Sequence, residues 1–200
     1  MLDADTITRL VEAGTSERWR AALGLAGYGG LRLGELRALT WKDVDFDANS
    51  ISVRRSLLPD GTAKPPKTDA GVRAVPMLPA LRRLLAAWKL RSLRTCPADL
   101  VVCTAEGRPL QERNLRRALD DAKRDAKLDE RADRLSWHSL RHSFASMLAT
   151  DLELPATTLA RLTGHADAGF TLKVYARDGR EEATVVQDVL ARASGAGIGG

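Results

Sequence analysis

Two hundred residues with 44% hydrophobic content are ordinary for a soluble globular chain of one or two compact units. No apolar run approaches the ~18 residues that a membrane helix needs, and the N-terminus lacks a signal-peptide pattern, so the expected setting is intracellular, with no membrane partner. The 31 basic against 26 acidic residues leave a net charge of +5, which is compatible with nucleic acid without requiring it.

Asp5 or Thr6 can cap a short helix carrying Ile7, Leu10 and Val11, which Gly14 ends. Ser16 opens a second helix with Trp19, Ala22, Leu23 and Ala26 on one side. Gly27, Gly29 and Gly30 then break regularity, and the chain enters Leu31-Arg32-Leu33-Gly34-Glu35-Leu36. Arg32 in that glycine-flanked turn is free to point where a helix would not send it, and Glu35, three residues on, can hold its guanidinium. Locally, a solvated loop arginine is an equal reading.

Residues 41–47 read as a turn into a strand, with Ile51, Val53 and Leu57 following in rough alternation before a tight reversal at Pro59-Asp60-Gly61. An extended piece over 64–68, the turn Asp69-Ala70-Gly71 and a strand over 72–75 complete a small antiparallel sheet. Lys67 lies near a hairpin tip, where a lysine is either solvated or, being mobile, able to reach into a groove.

Pro79 suits the first position of a long helix whose core face is Leu81, Leu84, Leu85 and Trp88. Cys96 and Cys103 have no metal-ligand spacing and read as two buried thiols. Leu100-Val101-Val102 is a short buried run. Residues 112–128 form a charged helix with Leu115, Leu119, Ala122 and Ala126 inside. Arg113, Arg116, Arg117, Lys123 and Arg124 lie outside, a face that is either solvated or tracks phosphates.

In the helix over 137–150, Leu140, Phe144, Met147 and Leu148 form one apolar stripe. His138 and His142 fall on the opposite side, and Arg141 sits at the stripe's edge with its stem buried and its head presented. His138 and Arg141, three apart, are neighbours on that surface, an arrangement that can hold an anion and move a proton beside it. A solvated basic face shows the same spacing.

Pro155 starts a further helix, filled by Leu159 and Leu162 and ended by Gly164, which puts His165 where a helix terminus meets a loop. Asp167 can cap a helix over 168–176 in which Phe170 and Val174 pack and Tyr175 projects. A last amphipathic helix over 181–193 carries Val185, Val186, Val189 and Leu190, and the tail over 194–200 is expected to be disordered. The expected fold class is α+β, mainly helical, with one small antiparallel sheet.

Several of these stretches coincide in a known order. Gly30-Leu31-Arg32-Leu33-Gly34-Glu35-Leu36 precedes Lys67-Thr68, which stands just before Gly71-Val72-Arg73-Ala74-Val75-Pro76. Then come His138-Ser139-Leu140-Arg141-His142, Leu162-Thr163-Gly164-His165 and Tyr175. Together they resemble the catalytic domain of the tyrosine recombinases, also called phage integrases, from about residue 3 to 193. The resemblance implies one catalytic domain over 1–193 with that fold, and a flexible tail over 194–200. It implies that Arg32 and Arg141 clamp a scissile DNA phosphate, that Lys67 is the hairpin lysine and that His138 is the first histidine of the His-x-x-Arg box. By the same likeness His165 is the second phosphate-contacting histidine, Tyr175 the nucleophile and Glu35 a supporting acid. Arg32, Lys67, Arg141 and His165 would then make the DNA contacts.

Phosphodiester chemistry accounts for these residue types. A phosphodiester repels an incoming oxygen, and two permanently charged, two-pronged guanidiniums offset the charge that grows on the phosphoryl oxygens. A tyrosine hydroxyl with an ordinary pKa of about 10 needs a base or a positive pocket to become a nucleophile, and His138 is the candidate base. The leaving 5′-oxygen needs a proton, for which Lys67 is the candidate acid. Of the two tyrosines, Tyr28 adjoins an apolar helix and a glycine pair and reads as structural, which leaves Tyr175. The scheme calls for no cofactor or metal, since arginines take the charge role that Mg²⁺ has in many nucleases.

The implied partners are double-stranded DNA and further copies of the chain, as a tetramer on paired sites and a monomer without DNA, in the cytoplasm at the nucleoid. Family members usually carry a separate helical, DNA-clamping domain ahead of the catalytic one. Because the resemblance begins near residue 1, that domain is expected to be absent here. The helix over 181–193 is expected to dock either on a neighbouring protomer or on its own domain. Two other functions share parts of the pattern: type IB topoisomerase-like relaxation of DNA, and a DNA-binding module without turnover.

Overall fold

The computed structural model describes residues 3–64, 72–128, 135–150, 152, 154–164 and 182–195. The first helix, α1 (Ala4–Glu12), is capped by Asp3 rather than by Asp5 or Thr6, the carboxylate accepting from the Thr6 amide at 2.7 Å. Its Ile7, Leu10 and Val11 are buried as their spacing predicts. The second helix, α2 (Glu17–Gly27), departs from the one-sided pattern: every residue from Ala21 to Gly27 is buried. The physical reason is that α1, α4 (Pro79–Arg91) and α6 (Trp137–Thr150) all pack on it, and a helix enclosed on several sides is apolar all round. Tyr28, at the end of α2, is buried and its hydroxyl pairs with Thr8 Oγ1 at 2.9 Å, a structural position.

Where the sequence predicts a glycine-flanked turn, the chain makes a short helix, α3 (Leu33–Ala38), with Arg32 as its N-cap residue. A single 3₁₀ turn, Trp41–Asp43, leads into a three-stranded antiparallel sheet of β1 (Val44–Asp45), β2 (Ser50–Val53) and β5 (Arg73–Pro76), in the order β1-β2-β5. Beside it β3 (Ser56–Leu57) pairs with β4 (Ala63–Lys64), so Leu57 belongs to this second ribbon rather than to the run of Ile51 and Val53. Val44 faces Ile51, Ile51 faces Val75, and Val53 faces Arg73. Those positions form the buried row of the sheet, and Arg73 is its one charged member.

Pro79 is the first residue of α4, with Leu81 and Leu85 buried and Leu84 and Trp88 partly so. Helix α5 (Glu112–Asp125) buries Leu115, Ala118, Leu119 and Ala122. Its basic residues are outside, where Lys123 and Arg124 pair with Asp120 and Asp121. The stripe of α6 is buried throughout. Helix α7 (Ala156–Thr163) ends at Gly164 in the left-handed conformation (φ 57°), and both α7 and α8 (Glu182–Gly195) pack on β5. Helix α8 includes Ser194 and Gly195, which the sequence assigns to a disordered tail; Ser194 Oγ donates to the Leu190 carbonyl at 3.0 Å. With Val189 and Ala193 fully buried, α8 docks on its own domain.

The expectation of two buried thiols is half corrected: Cys103 is buried, but Cys96 is exposed in a turn where its amide donates to Asp99. Among the described residues, no helix is long and apolar enough to cross a membrane.

Arg37 joins three segments. It is 2% exposed, and its guanidinium donates to the carbonyls of Leu110 at 2.7 Å, Leu58 at 2.9 Å and Pro59 at 3.4 Å, with Glu112 also at 3.4 Å. Removing it strands the buried Leu110 carbonyl and unties the Leu58–Pro59 turn from α3. Arg37→Met is expected to lower unfolding free energy by about 3–5 kcal/mol in urea titrations. A loss under about 1 kcal/mol would mean that solvent replaces the guanidinium.

Candidate functional site

Glu35 stands in the first turn of α3, 6% exposed. Its Oε2 accepts from the Arg32 amide at 2.8 Å, which ties off the helix start. Its Oε1 accepts from Arg32 Nη1 at 2.9 Å and from Arg73 Nη1 at 3.0 Å, and Oε2 accepts from Arg73 Nη2 at 2.8 Å. Arg141 Nη1 approaches the same Oε2 at 3.9 Å. One buried carboxylate thus holds three guanidiniums supplied by α3, β5 and α6.

Two glycines in the left-handed conformation complete the scaffold. Gly30 (φ 60°) turns its carbonyl to accept from Arg141 Nη1 at 2.5 Å, and Gly164 (φ 57°) turns its carbonyl to accept from Arg32 Nη2 at 2.5 Å. A side chain at Gly30 would strike the Phe144 ring, so both its φ and the space around it demand glycine. Arg141 is 2% exposed, and its head is buried along with its stem, a correction to the expected edge position. Its Nη2 is the one buried side-chain polar atom without a hydrogen-bond partner among the described residues. A buried guanidinium nitrogen with no acceptor is costly, and an ordered water or a bound anion would relieve it.

Arg32, by contrast, leaves 41% of its side chain exposed. Arg32, Arg116, Lys123, Trp137, His138 and Arg141 line one cavity of about 570 Å³ between the start of α3, α5 and the start of α6. At its rim His138 and His142 meet edge to face, ring centroids 4.3 Å apart, with Nε2 to Nε2 at 2.8 Å. One ring donates and the other accepts, so those two nitrogens cannot both carry protons while the bond stands. Partial burial, then His142, Arg141 and Arg32 hold the His138 pKa below the usual imidazole value. His138 is therefore neutral at pH 7 and able to accept a proton.

The structure brings Arg32, Glu35, His138 and Arg141 together in one place. Lys67, His165 and Tyr175 lie outside the described residues. Sequence reasoning missed Arg73 as part of the cluster. Its signal was present: an arginine on the same strand face as Val75 is buried with it, and a buried arginine needs acceptors for its guanidinium. Among the described residues no group of three His, Cys, Asp or Glu side chains could hold a metal ion.

The sequence model of the phage integrase family matches residues 1–182. Prophage integrase IntR of Escherichia coli (strain K12) is 46% identical over 81 residues, 40% of this chain and 19% of that protein. Tyrosine recombinase XerC of Stutzerimonas stutzeri (strain A1501) is 34% identical over 182 residues, 88% of this chain and 54% of that protein. The chain thus spans about half the length of the longest-matching of these relatives. The Tn1549 transposon integrase, solved with transposon right end DNA, superposes with a TM-score of 0.66 at 24% identity, over 96% of this chain and 65% of the other, a likeness of fold.

Burial alone would raise the Glu35 pKa, but the Arg73 fork and charge, followed by Arg32, overcome it and bring the carboxyl from 4.5 to about 2. A folded-state pKa below the unfolded one means stability that is present above about pH 4.5 and is lost as pH falls towards 2. That shift corresponds to about 3 kcal/mol. Urea unfolding of the parent protein is expected to weaken steeply between pH 4.5 and pH 2. Glu35→Gln is expected to be less stable at pH 7 and to show a shallower acid slope. An unchanged slope would mean that the carboxylate is not the group being titrated.

Proposed function

The chain belongs to the phage integrase family, and from that premise we propose that it breaks and rejoins double-stranded DNA at specific sites, as the catalytic part of a tyrosine recombinase. The observation that carries this reading is the Nη2 of buried Arg141, which has no acceptor among the described residues and belongs to a side chain that lines one cavity with Arg32 and His138. A phosphodiester is the anion that suits such a hollow. Arg141 and Arg32 would each offer donors to its non-bridging oxygens, held in place by carbonyls and by Glu35 from behind.

In the proposed reaction the Tyr175 hydroxyl attacks phosphorus, forming a phosphorus–tyrosine oxygen bond as the bond to the 5′-oxygen breaks. The tyrosine proton passes to His138, whose lowered pKa keeps it unprotonated beforehand. Lys67 gives a proton to the departing 5′-oxygen, and His165 donates a hydrogen bond to a phosphoryl oxygen. The product is a 3′-phosphotyrosine, which retains the phosphodiester energy, so a 5′-hydroxyl from another strand can reverse the step without ATP. The positive charge comes from the arginines, and the scheme needs no metal. The partner is duplex DNA, with self-association into a tetramer on paired sites and a monomer in its absence, in the cytoplasm at the nucleoid. The Tn1549 integrase, whose fold this chain shares, was solved bound to its transposon end, which supports DNA as the partner.

The test is covalent capture on a nicked duplex that releases its leaving strand. The parent protein is expected to yield a protein–DNA adduct resistant to denaturant, and Tyr175→Phe none. Arg141→Lys keeps the charge but loses the fork, so attachment should fall about 10²–10³-fold while DNA affinity changes by only a few-fold. DNA binding with no Tyr175-dependent adduct would reduce the protein to a DNA-binding module.

A further inference from the structure

Arg73 is a buried charge beside the site that the proposed chemistry leaves unused. It stands at the start of β5, 4% exposed, opposite Val53. All three guanidinium nitrogens are engaged: Nη1 and Nη2 fork onto the two Glu35 oxygens at 3.0 and 2.8 Å, and Nε donates to the Leu162 carbonyl at 2.8 Å. The guanidinium lies against Gly164, where a Cβ would come within 3.2 Å of Nη1. Arg73 therefore touches both supports of Arg32, namely Glu35 on α3 and the last turn of α7, whose Gly164 carbonyl holds Arg32 Nη2.

We propose that Arg73 is a positioning residue for the phosphate site: by gripping Glu35 and the Leu162 carbonyl at once, it fixes the start of α3 against the end of α7 and so sets how Arg32 and Arg141 face a single phosphate. This rests on the reading above that the hollow takes a DNA phosphate. The planar fork is what the task requires. A lysine is a point charge on a flexible stem and reaches either the carboxylate or the carbonyl, not both. Burial pushes the Glu35 carboxyl up and the Arg73 contacts are the largest effect pulling it down. Without Arg73 the carboxylate takes up a proton more readily and loosens its hold on Arg32, which together with Arg141 is the other cation facing it.

The experiment uses the full chain with Arg73→Lys, Arg73→Gln and Arg141→Lys, each assayed for tungstate binding by calorimetry, covalent capture on the nicked duplex, and thermal midpoint. Tungstate is a tetrahedral oxyanion that probes the hollow without requiring turnover. Arg73→Lys is expected to unfold within a few degrees of the parent, to bind tungstate about 10-fold more weakly, and to attach to saturating DNA roughly 30–100-fold more slowly. Arg73→Gln is expected to show DNA attachment that falls more steeply than the parent's as pH is lowered from 7 to 5 (about two decades of proton concentration), since His138 titrates in both proteins and the loosened Glu35 only in the variant. Parent-like binding and attachment in Arg73→Lys, or losses that merely track its thermal midpoint, would overturn the inference. So would parent tungstate binding that is absent or indifferent to Arg141→Lys. If the parent binds tungstate through Arg141 but forms no DNA adduct, the recombinase reading falls, and the tungstate comparison alone decides the role of Arg73.

Discussion

Three guanidiniums share one buried carboxylate, and the site exists because of that imbalance. Glu35 alone would be an expensive group to bury, and so would Arg73 or Arg141. Together they are affordable because Glu35 accepts four hydrogen bonds, two from Arg73 and two from Arg32, and lies 3.9 Å from Arg141. Glu35 is on α3, Arg73 on β5 and Arg141 on α6, so the carboxylate fixes a helix start, a sheet edge and a core helix relative to each other. The cluster is therefore a fold element as much as a chemical one. Severing any member leaves a charge without its counterpart, the case in which buried ion pairs matter most to stability.

The backbone takes part on the same terms. Gly30 and Gly164 are both in the left-handed region, and each aims a carbonyl at one arginine. Those two carbonyls occupy one nitrogen of Arg141 and one of Arg32, and among the described residues Arg141 Nη2 has no acceptor. That nitrogen belongs to a side chain that lines the same cavity as His138 and Arg32. A rotating side chain could not hold a donor in this way, because it would swing to find water or a neighbour. Arg141 is held because its stem lies in the core and Gly30 fixes one of its nitrogens.

How much of this the sequence discloses depends on range. Arg32 and Glu35 are three residues apart, and their ion pair was legible because the partners share one turn. The apolar stripe of α6 was legible from helical spacing, as was the placing of His138 near Arg141, which line one cavity. The burial of the Arg141 head was not, because its acceptor, Gly30, lies 111 residues away. Arg73 escaped for the same reason: its partner is 38 residues distant, and the strand pattern signals only that some partner must exist. Helix α3 was hidden because six residues containing a glycine are too short to show a period. The one-sided reading of α2 failed because periodicity cannot announce how many neighbours a helix will have.

The balance of charge bears on what the hollow favours. Arg32, Arg73 and Arg141 against Glu35 leave a formal surplus of two positive charges, and burial with mutual repulsion already pulls Arg141 down to about 9, still charged at neutral pH. A phosphodiester in its ground state brings one negative charge. On the proposed reaction path a tyrosine oxygen arrives with its proton already passing to His138, so the pentacoordinate arrangement carries about one charge more. A fixed surplus of two is thus better matched to that arrangement than to the bound substrate, which is the condition for lowering a barrier rather than merely binding. The repulsion among the arginines is present before DNA arrives and needs no rearrangement to act. Neutral His138 belongs to the same logic: a histidine already protonated beside Arg141 and Arg32 would add to the repulsion and could take no proton from the attacking group. After burial and His142, the charges that hold the His138 pKa down are Arg141 and Arg32, the two that grip the phosphate in the proposed reaction, so one cluster would set both the electrophile and the base.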